Sequence, residues 1–230
     1  MQTQILIGIG ALIIVIGLIW FFIWHRKNNK VKLEYSKQLW KAIDNMDEKR
    51  VRSILQTEEI DINKADKNGF SPLYIACQEG NEVIVNALLD KKGIKINNSR
   101  SDGTTPLFIA CRQGHETIVS ALLENIEIEI NQATDEGATP LMIACQEGHE
   151  GIVNALLEKD GIEINKPTDE GVTPLYIACY QGHEGIVSAL LRKDGIEINK
   201  ATDIGDTPLS IAEQGDHNAI VQTLKERGAK

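Results

Sequence analysis

One phrase returns along this chain at a fixed interval. Ser71-Pro72-Leu73-Tyr74-Ile75-Ala76-Cys77 recurs as TPLFIAC at 105–111, TPLMIAC at 139–145, TPLYIAC at 173–179 and TPLSIAE at 207–213. The prolines Pro72, Pro106, Pro140, Pro174 and Pro208 therefore stand 34 residues apart. A period of this size describes a stack of supersecondary units, each unable to bury its apolar side alone. The phrase is also a helix start. Ser or Thr at the N-cap accepts an amide hydrogen bond, and proline at the first helical position gives up an N–H that had no intrahelical partner.

Every unit repeats one grammar. A turn carrying glycine (Gly69, Gly103, Gly137, Gly171, Gly205) precedes the phrase, and Asp, Asn, Thr and Gly supply its turn chemistry. Leu, Ile and Ala at helical spacing mark one buried stripe of the helix that follows. Gly80, Gly114, Gly148 and Gly182 break that helix, and a second begins near Asn81, His115, His149 and His183 with the pattern Ile-Val-x-Ala-Leu-Leu. Ile84, Val85, Leu88 and Leu89 again share one helix face. An Ile-x-Ile-Asn stretch closes the unit, and its alternation predicts a short extended leg.

The array has a first and a last unit that differ from the rest. Residues 36–63 lack the turn and the phrase but keep the spacing: Leu39, Ala42 and Ile43 correspond to Leu73, Ala76 and Cys77, and Val51, Ile54 and Leu55 to Val85, Leu88 and Leu89. Their outer side is polar, with Lys37, Lys41, Glu48, Lys49, Arg50 and Arg52, as a terminal repeat requires. In the last unit Glu213, Thr223 and Lys225 stand where interior units carry Cys, Ala and Leu. Polar groups at those positions would be costly in an interior repeat and are solvated on an end face.

Together the TPLxIA phrase, the glycine before the second helix, the IVxALL core and the closing Ile-Asn resemble the ankyrin repeat family. The resemblance covers 36–230. It implies an all-α ankyrin-repeat solenoid of helix-turn-helix units with short hairpin-like turns: a 36–63 N-cap repeat, then about 64–97, 98–131, 132–165, 166–199 and a 200–230 C-cap repeat. Two departures from the family pattern are visible. The family period is 33, and here an extra residue lies near Lys92-Gly93, Asp160-Gly161 and Asp194-Gly195. Where the family's phrase continues with His, this chain has Tyr74, Phe108, Met142, Tyr176 and Ser210, so the Thr–His network of the family is not expected.

Ahead of the array, behind a tail of 1–4, residues 5–24 read ILIGIGALIIVIGLIWFFIW, without a charged side chain. Twenty residues at ~1.5 Å each match a ~30 Å bilayer core. Trp20, Phe21, Phe22 and Trp24 gather at one end, and Arg26, Lys27, Lys30 and Lys32 follow in a basic juxtamembrane linker, 25–35. The sequence thus predicts one N-terminal transmembrane helix, single-pass, with the array on the cytoplasmic side. The alternative is a cleaved secretory signal releasing a secreted or periplasmic protein with a protective or inhibitory role. It fits less well: no basic n-region precedes the run, and bulky aromatics occupy the place of a small-residue cleavage site.

The totals narrow the chemistry. A net charge of -9 argues against nucleic acid as a partner, whose binders present a basic face. Cys77, Cys111, Cys145 and Cys179 repeat with the period. Equivalent residues in helices packed ~8–10 Å apart lie too far apart for a disulfide, which needs Cα atoms within ~7 Å, and no zinc-ligand set converges. Small, buried, free thiols suit a reducing compartment. His115, His149, His183 and His217 hold one repeat position and are expected to satisfy backbone groups at the start of their own helices. Glu116, Glu150 and Glu184 after them suit the helix dipole. No nucleophile and base occur once and uniquely, so the sequence predicts no enzyme, no cofactor, no metal and no small-molecule substrate; a thiol-nucleophile enzyme is the weaker reading.

What remains is surface. The resemblance implies that partners bind through turn tips and the exposed side of the first helices. By position the tips are Lys67, Asn68 and Phe70; Ser101, Asp102 and Thr104; Asp135, Glu136 and Ala138; Asp169, Glu170 and Val172; and Ile204 and Asp206. The helix positions are Gln78, Glu79, Arg112, Gln113, Gln146, Glu147, Tyr180 and Gln181. Phe70, Tyr74, Phe108, Met142, Val172, Tyr176, Tyr180 and Ile204 break this polar set as anchors, or, for Tyr74 and Tyr176 equally, as core filler. Acidic tips at Asp135, Glu136, Asp169 and Glu170 predict a protein partner with a basic patch, and residues 5–24 a lipid bilayer.

Overall fold

The computed structural model describes residues 2–57 and 60–230, with side chains from Trp20 onward except at 22, 23 and 28. Twelve α-helices follow one another among the described residues, with no strand. They are α1 (Gln2–Asp44), α2 (Glu48–Leu55), α3 (Pro72–Gln78), α4 (Glu82–Leu89), α5 (Pro106–Gln113), α6 (Glu116–Leu123), α7 (Pro140–Glu147), α8 (Glu150–Leu157), α9 (Pro174–Gln181), α10 (Glu184–Leu191), α11 (Pro208–Gln214) and α12 (Asn218–Glu226).

The N-cap expectation holds in each phrase. Ser71, Thr105, Thr139, Thr173 and Thr207 accept the amide three residues on, at 3.1–3.2 Å, and proline opens each helix behind them. The odd-numbered helices stack side by side as an inner row and the even-numbered ones as an outer row, each pair antiparallel within its unit. Between the rows runs one continuous core. Leu73, Leu107, Leu141 and Leu175 are buried in register, as are Ile84, Ile118, Ile152 and Ile186. Burying each such side chain is worth about 1.5–3 kcal/mol. Helices of neighbouring units pack directly on one another along both rows, so no unit buries its apolar side alone.

The first unit packs onto the array through its own apolar residues. Leu39, Ala42, Ile43, Val51, Ile54 and Leu55 are buried, and its inner helix is the last part of α1. Ser36 donates to the Asp61 carbonyl at 3.3 Å, and Trp40 Nε1 to that of Lys64 at 3.0 Å, clamping the helix to the array. The basic segment 25–35 is part of this same helix rather than a separate connection. At the other end Asp216, φ 55, takes the left-handed position that glycine holds in the interior units, because Gly215 comes one residue early.

The Ile-x-Ile-Asn legs are turns rather than strands. Asparagine is the reason. The side-chain amides of Asn63, Asn97, Asn131 and Asn165 each donate to a carbonyl of the next unit (Gly93, Glu127, Gly161, Gly195) at 2.6–2.7 Å. Their oxygens accept the amides of Lys95, Glu129, Glu163 and Glu197 at 2.8–3.0 Å. Backbone groups that would seek a strand partner are satisfied by this ladder instead.

Among the described residues no helix is long and apolar enough to cross a membrane. The run 5–24 lies, up to residue 19 and at 22 and 23, outside the residues whose side chains are described.

Candidate interaction face

Each tip is a tight hairpin: the amides of Asp66, Arg100, Thr134, Thr168 and Thr202 donate to the carbonyls of Phe70, Thr104, Ala138, Val172 and Asp206 at 2.9–3.0 Å, and the tip glycines donate back to the carbonyls of the same first residues at 2.9–3.2 Å. Neighbouring tips are joined as well. The amides of Asp135, Asp169 and Asp203 donate to the carbonyls of Asp102, Glu136 and Glu170 at 3.0, 3.4 and 3.1 Å. These bonds align the second to fifth tips into one edge. Between the first tip and the second the join is made by side chains: the Arg100 guanidinium lies 4.6 Å from the Phe70 ring centroid and pairs with Asp102 at 2.7 Å.

The structure sorts the residues expected on this face. Lys67, Asn68, Glu79, Arg112, Asp135, Glu136, Asp169 and Glu170 are exposed, and Gln78 and Val172 are half-buried. Tyr180, at 54 %, and Ile204, at 85 %, are the two large hydrophobic side chains this face exposes. Tyr74, Phe108 and Met142 are corrections: they are buried at 1, 5 and 3 % and cannot meet a partner. Their position, three residues past the N-cap, points between adjacent inner helices, where an apolar group fills the space. Phe70 is half-buried against Tyr74, ring centroids 5.2 Å apart, and Tyr176 is half-buried too. Thr104 is buried, its hydroxyl donating to Asp102 at 2.6 Å, so it shapes the tip rather than lining it.

Charge on the face is uneven. None of the ion pairs among the described residues involves Asp135, Glu136, Asp169, Glu170, Asp203 or Asp206. Asp102 differs. Burial acts to raise its carboxyl, but the Thr104 hydroxyl and amide and the Arg100 charge outweigh that and hold it below the usual range. For Tyr176, burial first, then Asp206 and Tyr180, push the phenol up. Asp203 is absent from the sequence expectation. The signal for it was present, since it stands 34 residues past Asp169.

The histidines depart from expectation. Each stands at the N-cap of its own helix, but no side chain makes the cap bond there. Instead Nε2 of His115, His149, His183 and His217 lies 3.1–3.2 Å from the carbonyl oxygens of Gln78, Arg112, Gln146 and Tyr180, in the preceding unit. Nε2 carries the proton in each, since a carbonyl only accepts. The four cysteines are free and buried. Burial pushes the thiols of Cys77, Cys111 and Cys145 far up, and that of Cys179 up to about 12. A buried, protonated thiol is a poor nucleophile. No group of three or more His, Cys, Asp or Glu converges as a metal site among the described residues.

The model of the family "Ankyrin repeats (3 copies)" matches residues 15–100, 94–168 and 161–230. The chain belongs to the ankyrin repeat family. A crystal structure of EF0377, an ankyrin repeat protein, is similar at 28 % identity and a TM-score of 0.78, covering 83 % of this chain and 98 % of that one. In all 555 solved chains match, so this likeness speaks for the ankyrin fold rather than for a particular partner. No curated protein matches. The ankyrin array is a protein–protein interaction module.

Proposed function

We propose that this chain is a membrane-tethered, non-catalytic ankyrin module on the cytoplasmic side, and that its tip edge binds a protein through a basic segment. One observation carries the partner's chemistry. Asp135, Glu136, Asp169 and Glu170 stand exposed and belong to none of the ion pairs among the described residues, on the same joined edge as the exposed Ile204. Unpaired carboxylates steer and orient a partner of opposite charge, and an exposed apolar side chain on the same edge offers an anchor that contact would desolvate. The tether is supported by the uncharged run 5–24 and the basic residues after it. Confinement to a membrane would raise the array's effective concentration toward partners held there.

The test is charge reversal. Asp135, Glu136, Asp169 and Glu170 are changed to Lys in the full chain, and captured proteins are compared with wild type after in-cell crosslinking. Loss of basic-segment partners by a folded variant is the expected result. Unchanged capture would refute the acidic-edge reading, and a chain that fails to float with membranes would refute the tether.

A further inference from the structure

We infer that the ankyrin stack lies parallel to the bilayer, its hairpin-tip edge on the membrane side, held off by a straight helical post. This rests on the tether proposed above and adds an orientation to it.

The argument begins with α1. It runs unbroken from Gln2 to Asp44, and from residue 18 to residue 44 the sequence has neither glycine nor proline to hinge it. Sharp kinks in helices need such a residue or an inserted group. One helix therefore contains both the apolar run and the inner helix of the first repeat. Its far end is gripped by buried Leu39 and Ile43 and by the Ser36 and Trp40 bonds to the array.

The stacking then fixes the direction. Inner helices pack side by side, α1 on α3, α3 on α5 and onward, so the stack grows perpendicular to the helix axes. A helix that crosses the bilayer near its normal and continues as the first inner helix lays the stack along the surface. The same geometry chooses the edge. Membrane and post lie at the N-terminal end of that inner helix, and at this end every inner helix emerges from its tip through Ser71, Thr105, Thr139, Thr173 or Thr207. The Gly–His connections lie at the opposite edge.

Trp20, Phe21 and Trp24 are exposed on α1 and suit the interfacial zone. From Trp24 to Ser36 the helix rises ~18 Å, about two screening lengths at physiological salt. The acidic tips thus clear an anionic headgroup layer without strong repulsion. The partner that fits this setting carries its basic segment close to the membrane, in the gap between lipid and tips.

The experiment uses the full chain in phosphatidylcholine–phosphatidylserine vesicles containing a headgroup-labelled acceptor lipid. A donor dye is placed in turn by Ser101→Cys, Ile204→Cys and Gln113→Cys; the native thiols are buried. Ser101 and Ile204 belong to tips three repeats apart. Helices spaced ~10 Å give ~30 Å along the stack, so a ~20° helix tilt leaves these two dyes within ~10 Å of the same height. The Gln113 dye, at the far end of its inner helix, should sit ~12 Å higher than the Ser101 dye. Inserting Gly-Gly-Ser-Gly after Asn29 should erase this pattern. A height difference near ~30 Å between the Ser101 and Ile204 dyes would overturn the orientation, as would a pattern unchanged by the insertion. A chain that does not float with the vesicles would overturn the tether itself, an outcome read before any dye distance.

Discussion

The Nε2 of His149 stands 3.2 Å from the carbonyl oxygen of Arg112, 37 residues earlier. That carbonyl is near the C-terminus of α5, where the last turn of a helix leaves its acceptors unpaired. The imidazole reaches it by bringing its Cε1 side up to Gly114, whose φ is 78. A Cβ built on Gly114 would fall 2.6 Å from the His149 ring. One glycine thus meets two demands: a left-handed backbone ends the helix, and an absent side chain admits the next unit's ring.

Gly114→Ala should therefore destabilise the array by about 2–3 kcal/mol, combining ~1–2 kcal/mol for the left-handed conformation with a displaced hydrogen bond worth ~1 kcal/mol. Gly151→Ala is the control, and its sign is opposite. Gly151 lies in α8 without positive φ, and the atoms nearest an added Cβ are the carboxylate of Glu116, the far end of a flexible side chain. Glu116 can swing into solvent, and the helix gains up to ~0.5–1 kcal/mol. Urea midpoints for the two variants should move in opposite directions. Equal losses would mean that both glycines serve packing alone.

How much of this could be read beforehand depends on whether the information was periodic. The period fixed the helix pairs, the caps, the buried Leu and Ile rows and the isolated thiols, because each follows from one residue type in one place. The destination of a side chain was less legible. His149 looked like a helix N-cap, since it precedes Glu150 at a helix start, and only the stack shows that the preceding unit's carbonyl is nearer. Tyr74, Phe108 and Met142 vary among themselves, as surface residues do, yet they are buried. Their common trait is size and apolarity, which a core position also demands. The asparagine ladder was visible as a recurring letter, but its role needs the next unit's loop.

Asn131 tests that ladder. Its amide donates to the Gly161 carbonyl at 2.7 Å and its oxygen accepts from the Glu163 amide at 3.0 Å. Asn131→Asp keeps the shape and the acceptor but loses the donor, placing a negative charge against a carbonyl. The variant should lose roughly 1–3 kcal/mol, the cost of an unmade bond at a partly buried site. Amide exchange at Glu163 should quicken more than at Glu197, which is held by Asn165. Equal protection at the two amides would show that the rungs are not independent.

The thiols set an alkaline limit on stability. Their ordinary value of 9.0 applies to the unfolded chain, and burial raises it in the fold, to about 12 for Cys179. Between those values the unfolded chain has released its thiol protons and the folded chain has not. The unfolded state then binds fewer protons, so stability is full below pH 9 and falls as pH rises toward the folded values. Each thiol contributes up to ~1.4 kcal/mol per pH unit in that window. The urea midpoint should fall between pH 9 and 10, and it should fall less in a variant with all four cysteines changed to Ala, each compared with its own value at pH 7. At pH 8 the folded chain should resist iodoacetamide while the urea-unfolded chain reacts at all four sites. Rapid modification of any one cysteine in the folded array would show that its helix pair opens far more readily than a continuous buried core allows.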